Sequence, residues 1–269
     1  MLYTNFNKKR LKVKNQIKKI ARYMFPDLYA KLGNLKKKMA QDKFVKNYPD
    51  TKIFFESKRE LYSQDNQDYI VSNNFFKNKN KGIFCDIGGN HPLNINNTRY
   101  FEELGWNGFV FEPLSYMKPL WDKHRKAKFF NFALSDEEGE VTFTVVKDAT
   151  GWEDMLSYIK DTRNADYKYG TKEITVQTRM CKNVFREENI TMIDYMSIDV
   201  EGHELNVLKG IDFNKVQINV LTIENNPPCS TIYGDDRIRE LMLSNKYILW
   251  GRIIGLDDIY VHEDFLKNA

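Results

Sequence analysis

Three short apolar segments of the chain each end close to a carboxylate. They lead to Asp86, Glu112 and Asp199, and turn-forming residues bound them, as is typical of buried strands. In sheets of parallel strands, side chains at the carboxyl ends of the strands face the ligand crevice. Glu112 follows Asp86 by 26 residues, close to the spacing of roughly 20 residues between a glycine loop and a ribose-binding carboxylate. The spacing predicts a ligand that carries a ribose.

A glycine loop follows the first of these segments. Gly88 and Gly89 can adopt positive φ angles and let the backbone approach a ligand closely. The loop continues with Asn90, and His91 and Pro92 stand where a dinucleotide-binding loop would have further glycines. Pyrophosphate binding needs close backbone approach at a helix N-terminus, whereas S-adenosylmethionine (SAM) has no phosphate. The loop therefore favours SAM over NAD.

Alternating strands and helices must position these side chains. Strands are predicted near residues 82–87, 106–112, 127–134, 141–146, 193–199 and 218–223. A helix is predicted over residues 97–104, and a hairpin of residues 247–250 with 258–261 follows near the C-terminus. This alternation predicts an α/β fold with a doubly wound, mostly parallel sheet, to which the hairpin adds an antiparallel part.

Two segments have open interpretations. The polar residues 62–68 either cap a helix or reach the mouth of the cofactor site, and the cap is the simpler prediction. The aromatic-rich stretch 148–176 is predicted to be a substrate lid, with an insertion packed on the sheet edge as the alternative.

Charge is distributed unevenly along the 269 residues. Residues 1–48 hold fourteen Lys or Arg and two Asp, a balance of +12, whereas the remainder carries −8. We therefore predict a basic helical arm over residues 1–50 and a catalytic domain over residues 51–269. The arm is expected to be solvated or to mediate oligomerisation. Contact with an anionic membrane surface is less favoured, because the arm lacks a clean apolar face with Trp or Phe anchors.

The composition is that of a soluble globular protein. No apolar run is long enough to span a bilayer, and lysines interrupt every apolar stretch near the N-terminus. The three cysteines lack metal-type spacing and are expected to be reduced. We expect a cytoplasmic location.

Taken together, these motifs resemble the FkbM-type methyltransferases over roughly residues 63–261. The segments that carry the resemblance are residues 86–90, 97–98, 105–108, 111–113, 133–136, 197–204 and 224–226. The resemblance implies the Rossmann-like fold of SAM-dependent methyltransferases. It also implies O-methylation of a sugar, a glycan precursor or another small metabolite, and we expect a role in bacterial surface polysaccharide (capsule) modification.

The resemblance further implies which residues contact SAM. The methionine half would contact Asp86, Gly88, Gly89 and Asn90, and the ribose would contact Glu112 and Pro113. The adenine would lie beside Ala133, Leu134 and Asp136, and the methyl group would face Asp199.

Methyl transfer to a hydroxyl needs a general base or a metal ion that acidifies the oxygen. Candidates for the base are Asp199, Glu201 and His203, and a structural histidine is the alternative for His203. Glu224 and Asn225 end the next strand, and oxygen ligands of this type suit Mg²⁺. We predict that Asp199, Glu224 and Asn225 bind the ion and that His203 is the base.

Two other classes of function were weighed against a small-molecule O-methyltransferase. A non-catalytic binding or scaffold protein would not need three strand-end carboxylates. A nucleic-acid methyltransferase could use the basic arm to bind phosphates. The net acidic catalytic domain and the absence of an Asn/Asp-Pro-Pro-aromatic motif argue against nucleic acid as a partner.

Overall fold

The computed structural model of the protein describes residues 23–24, 26–55, 57–147, 154–160, 162, 170–226 and 234–268. The chain divides into two compact units, residues 1–49 and 50–269. In the first unit, helix α1 runs over Pro26–Asn47, with Asp27 in its first turn and Lys46 in its last. Among the described residues, no helix is both long and apolar enough to cross a membrane.

Twelve strands are formed by the described residues of the second unit. In chain order, β1 to β12 are Lys52–Phe54, Ile83–Ile87, Asn107–Phe111, Lys128–Phe130, Ala133–Ser135, Gly139–Val146, Tyr158–Ile159, Thr171–Met180, Met192–Ile198, Gln217–Glu224, Tyr247–Ile253 and Asp257–His262. The strands that were predicted to lead to Asp86, Glu112 and Asp199 are confirmed as β2, β3 and β9, with bounds shifted by a residue or so.

Eight of the strands form the main sheet, in the order β1-β11-β12-β10-β9-β2-β3-β4. All neighbours in it are parallel except β12, which lies antiparallel between β10 and β11. The predicted mostly parallel sheet with a C-terminal antiparallel hairpin is therefore confirmed. From β2 the chain proceeds outward to β3 and β4 on one side, and β9 and β10 lie on the other. The strand order reverses between β2 and β9, which is where open α/β sheets bind ligands.

A second sheet has four strands in the order β5-β8-β6-β7. The sequence predicts one strand over residues 127–134, and this prediction is wrong: the segment is split into β4 in the main sheet and β5 in the second. The break falls at Asn131, whose side-chain amide donates to the carbonyls of Glu112 and Pro113 at 2.9 and 3.0 Å. These bonds turn the chain beside the end of β3.

Short helices connect the strands. After α1, helices α2 to α8 are Gln67–Phe75, Arg99–Glu103, Lys118–His124, Cys181–Glu187, Glu204–Lys209, Asp236–Ser244 and Glu263–Asn268, and a 3₁₀ turn spans Ser115–Met117. Helix α3 confirms the helix predicted over residues 97–104 in a shortened form.

A buried aromatic cluster packs helices against the main sheet. Phe101 of α3 lies 4.9 Å from Trp106 and 4.8 Å from Tyr195 of β9, measured between ring centroids. Phe76, which follows α2, stacks edge-on against Trp106 at 5.0 Å and also contacts Phe265 of α8 at 5.7 Å. Burial of each such ring stabilises the fold by roughly 1.5–3 kcal/mol. The cluster fixes α2 and α3, which border the ligand-facing loops.

Candidate functional site

The loop after β2 brings three strand ends together. Gly88 donates its backbone N–H to Phe111 at the end of β3, at 2.9 Å, and Asp199 after β9 donates its own to Ile87, at 3.0 Å. Gly88 has a φ of 86°, and its Cα lies so close to the backbone of Asp199 that no side chain fits between them. Gly88, which was predicted to let the backbone approach a ligand, therefore lets it approach the neighbouring strand in the structure.

Glu112 is a buried carboxylate held by two backbone amides. Its Oε2 accepts from Asn90 at 2.9 Å, and its Oε1 accepts from Leu114 at 2.8 Å. Burial raises the pKa of Glu112 to about 7, against the opposing effect of these two bonds. Each carboxylate oxygen still has a second lone pair, so the group can also accept from two hydroxyls. The buried Oδ1 of Asn90 has no hydrogen-bond partner among the described residues.

Asp86 organises the loop that follows it. Its Oδ2 accepts from Thr98 Oγ1 at 2.7 Å and from Asn96 Nδ2 at 3.2 Å. Burial raises the pKa of Asp86, and the Thr98 hydrogen bond and the nearby Arg125 oppose the shift. Part of the role of Asp86 is therefore structural, because it holds residues 96–98 against the end of β2.

Two adjoining pockets open at the ends of β2, β3 and β9. We call them the first and the second pocket. Both are lined by Gly88, Asn90, Met155, Asp199 and Glu201. Of the strand-end carboxylates that the sequence singles out, Asp199 lines both pockets, Glu112 only the first and Asp86 only the second.

The first pocket combines a carboxylate with apolar walls. Glu112 and Pro113 line it, and the second sheet contributes Leu134, Phe143 and Ile159. Ala133, which the resemblance implies to border the adenine, lines this pocket as well.

Asp136, which was expected to border the adenine, does not line this pocket. Its Oδ1 accepts instead from Ser135 Oγ at 3.1 Å and from Asn206 Nδ2 at 3.0 Å. Although burial acts in the other direction, these hydrogen bonds lower the pKa of Asp136, so it is a carboxylate at neutral pH.

His203 lines the first pocket and not the second. It immediately precedes helix α6 and is 8% exposed. Its Nε2 lies 3.0 Å from Ser135 Oγ, and its buried Nδ1 has no hydrogen-bond partner in the described part of the chain. Burial lowers the pKa of His203, so the ring is neutral at neutral pH.

The second pocket is lined mainly by polar side chains. Its carboxylates are Asp86, Asp199, Glu201, Glu224 and Asp257, and its side-chain amides are Gln64, Gln67, Asn90, Asn96, Asn97 and Asn226. This lining offers many hydrogen-bond acceptors and donors at short range.

Asp257 is a pocket residue that the sequence analysis missed. It begins β12, where the antiparallel register places it opposite Glu224 of β10. Gln67 at the start of α2 donates to its Oδ2 at 2.9 Å. Burial and the nearby Asp199 raise the pKa of Asp257 to about 7. Gln64 and Gln67 belong to the polar run that was predicted to cap a helix. Asn66, which precedes α2, makes no side-chain capping hydrogen bond, and the run instead reaches the second pocket.

The predicted Mg²⁺ site is not supported. Asn225 is fully buried and lines neither pocket; its Nδ2 donates to Asp258 at 2.7 Å and its Oδ1 accepts from the Asp235 amide at 2.6 Å. Consecutive residues of an extended chain point to opposite sides, so Asn225 faces away from the pocket that Glu224 lines. Across the described ranges, no three His, Cys, Asp or Glu side chains are grouped to hold a metal ion.

The loop after Asp199 has an unusual backbone. Glu201 lines both pockets with a φ of 57°, and Gly202 has a φ of 106°. Glu204, the first residue of α6, accepts from the Gly202 and Val200 amides at 2.9 and 3.2 Å, so its carboxylate holds this loop against the start of the helix. Residues held at positive φ in this way often belong to functional sites.

Part of the predicted lid segment also reaches the pockets. Asp154 and Ser157 line the first pocket, Leu156 lines the second, and Met155 lines both. Residues 148–153, 161 and 163–169 of that segment lie outside the described residues.

Comparison with known families identifies most of this region. The family model described as the methyltransferase FkbM domain matches residues 86–249, which include both glycines of the loop and the strand-end carboxylates. Neither the curated proteins nor the solved structures contain a match to the chain.

Proposed function

Because the chain belongs to the FkbM methyltransferase family, we propose that it methylates a hydroxyl oxygen of a sugar, a glycan precursor or another polyhydroxylated metabolite. The observation that carries this proposal is the pair of adjoining pockets, which differ in chemistry and meet at Asp199. An apolar pocket with one buried carboxylate suits an adenosine group. A pocket of carboxylates and amides suits several hydroxyl groups.

SAM is the methyl donor that the family implies, and the first pocket is where we propose its adenosine binds. Glu112 accepts the ribose hydroxyls with the lone pairs that Asn90 and Leu114 leave unused. Residues Gly88 to Asn90, with Asp86 behind them, contact the methionine half. Pro113, Ala133 and Leu134 contact the base and the ribose.

Bound SAM supplies an electrophilic methyl group, and the side chains align the acceptor and remove its proton. Asp257 accepts the hydroxyl proton in our proposal, because it lies in the second pocket with a pKa raised to about 7, near the working pH. Gln67 orients this carboxylate. Asp199 and Glu201 line both pockets and position the attacking oxygen beside the methyl group.

We extend the proposal to a cytoplasmic enzyme that modifies a bacterial surface polysaccharide such as a capsule. The extension is supported by the family and by the polar lining of the second pocket. We also propose that helices cover both faces of the main sheet, which makes the fold doubly wound. The reversal of strand order beside β2 supports this arrangement.

The first test is a calorimetric titration of SAM into the full chain. The wild type should bind, and Glu112→Ala should bind at least about tenfold more weakly, since it loses charge-assisted hydrogen bonds to the ribose. Glu137→Ala is a matched control, because Glu137 is exposed and lines neither pocket. Absence of SAM binding by the wild type would contradict the proposal.

A second measurement separates an enzyme from a binding protein. The wild type is incubated with labelled SAM and a panel of nucleotide sugars and oligosaccharides, and transfer of label to each acceptor is followed. Methylation of a hydroxyl is the expected result. Tight SAM binding without transfer to any sugar would favour the scaffold alternative.

A further inference from the structure

The Nδ1 atom of His203 is a buried polar atom with no partner in the described chain, on a side chain that lines the first pocket. An unsatisfied buried acceptor costs roughly 1–3 kcal/mol. Such a cost is expected where a ligand supplies the missing partner. The class of that partner depends on whether Nδ1 donates or accepts.

A short chain of hydrogen bonds settles which nitrogen carries the proton. Asp136 is a carboxylate and can only accept, so the hydroxyl proton of Ser135 points to Asp136 Oδ1 at 3.1 Å. The lone pairs of Ser135 Oγ then face His203 Nε2 at 3.0 Å, and Nε2 must be the protonated nitrogen. In a neutral imidazole this leaves Nδ1 with a lone pair and no proton. Nδ1 is therefore an acceptor.

We propose that Nδ1 of His203 accepts a hydrogen bond from the exocyclic amino group of the cofactor's adenine, and that Asp136 and Ser135 fix the ring in the tautomer that allows it. This inference rests on the proposed function, since it takes the first pocket to be the adenosine site. Asp136 then acts as a positioning residue for the adenine, although it does not line the pocket itself.

The chemistry of the pocket agrees with this assignment. The 6-amino group of adenine is a donor, whereas the 6-oxo group of hypoxanthine is an acceptor and would face the lone pair of Nδ1. Burial lowers the pKa of His203, so the ring does not become a donor at neutral pH. His203 is also absent from the second pocket, which argues against its predicted role as the base for the acceptor hydroxyl.

The test compares the dissociation constants of S-adenosylhomocysteine and S-inosylhomocysteine, which differ at position 6 of the base. The wild type should prefer the adenosyl compound by about tenfold or more. His203→Gln should lose most of this preference, because its side-chain amide replaces Nε2 and leaves no acceptor at the Nδ1 position. His203→Asn should retain most of it, because its amide oxygen can occupy that position.

Glu112→Ala is the control that separates the two proposals. This variant should weaken the binding of both ligands by the same factor, so that the ratio of the two dissociation constants stays unchanged. If the wild type binds neither ligand, the proposed function fails. If the wild type binds both but His203→Gln leaves the ratio unchanged, or weakens both ligands equally, the inference about His203 is overturned while the SAM site stands. Thermal melting of each variant without ligand verifies that it is folded.

Discussion

A Cβ atom on Gly88 would lie 1.8 Å from the carbonyl oxygen of Asp199. The loop after β2 and the end of β9 are therefore in backbone contact, without an intervening side chain. This contact sets the distance between the residues proposed to hold the methionine half of SAM and the carboxylate proposed to face the methyl group.

Replacement of Gly88 should consequently disturb both stability and cofactor binding. Gly88→Ala forces the loop after β2 away from the end of β9. The resulting loss in the free energy of unfolding should exceed the loss from a positive φ alone by about 1–3 kcal/mol. Gly255→Ala is a matched control, since Gly255 has a φ of 83° against 86° for Gly88 and has open space around it. Urea unfolding gives the two stabilities, and equal losses in the two variants would show that the contact with Asp199 is unimportant.

Cofactor binding should depend on the protonation of Glu112. Its pKa is raised to about 7, mainly by burial and against the two amide hydrogen bonds. Ribose hydroxyls donate more strongly to the ionised carboxylate. The affinity for S-adenosylhomocysteine should therefore increase from pH 6 to pH 8 and then level off. The affinity of Glu112→Gln for the same ligand should not change with pH across this range. If that variant kept the pH dependence of the wild type, the effect would belong to another group.

The carboxyl of Asp257 should make a measurable contribution to the pH dependence of folding. Its pKa is raised from 3.8 to about 7 by burial and by Asp199 and Asp258, while Gln67 and Arg252 oppose the shift. The folded state holds this proton more tightly than the unfolded state, so the contribution of Asp257 to stability is lost as pH rises through the folded pKa.

Asp257→Asn removes this titration. Relative to the wild type, the variant should gain stability between about pH 4 and pH 7, by up to about 1.4 kcal/mol per pH unit, and the difference should level off above pH 7. Urea unfolding at several pH values measures the difference. A constant difference between wild type and Asp257→Asn would contradict the raised pKa.

Asp258 should be important for stability although it is next to Asp257 in sequence. It is fully buried and pairs with two buried guanidinium groups, Arg239 at 2.9 Å and Arg252 at 2.6 Å. Asp258→Asn removes the carboxylate that both guanidinium groups share, while Arg239 keeps its ion pair with Asp236 at 3.1 Å, and should cost about 3–5 kcal/mol. Asp122→Asn breaks an exposed pair with Lys118 and should cost less than about 1 kcal/mol. Chemical denaturation distinguishes the two outcomes.

The sequence was sufficient to predict the strands that carry the site, for a physical reason. Buried strands have continuous apolar runs, and the residue at which polarity returns marks the end of each strand. That rule led to Asp86, Glu112 and Asp199, and also to Glu224. The metal prediction combined Glu224 with its neighbour Asn225 although consecutive residues of an extended chain point to opposite sides, and Asn225 does not line the pocket that Glu224 lines.

Residues brought in from distant segments were beyond such reasoning. Asp257 meets Gln67 across 190 positions of the chain, and their contact depends on the register of an antiparallel strand and on the placement of α2. Residues 127–134 illustrate a different limit. Their apolar pattern is that of one strand, but side-chain bonds from Asn131 to backbone carbonyls split it between two sheets.

The position of β12 has a consequence for how the molecule is made. This strand is bonded on both sides, to β10 and to β11, yet both neighbours precede it in the chain. During synthesis, which proceeds from the N-terminus, the ribosome releases β10 with an unpaired edge, and the sheet can close only after residue 262 has emerged. Asp257 is carried by this last strand. The nascent protein therefore cannot complete the second pocket, or acquire its proposed base, before β12 has been synthesised.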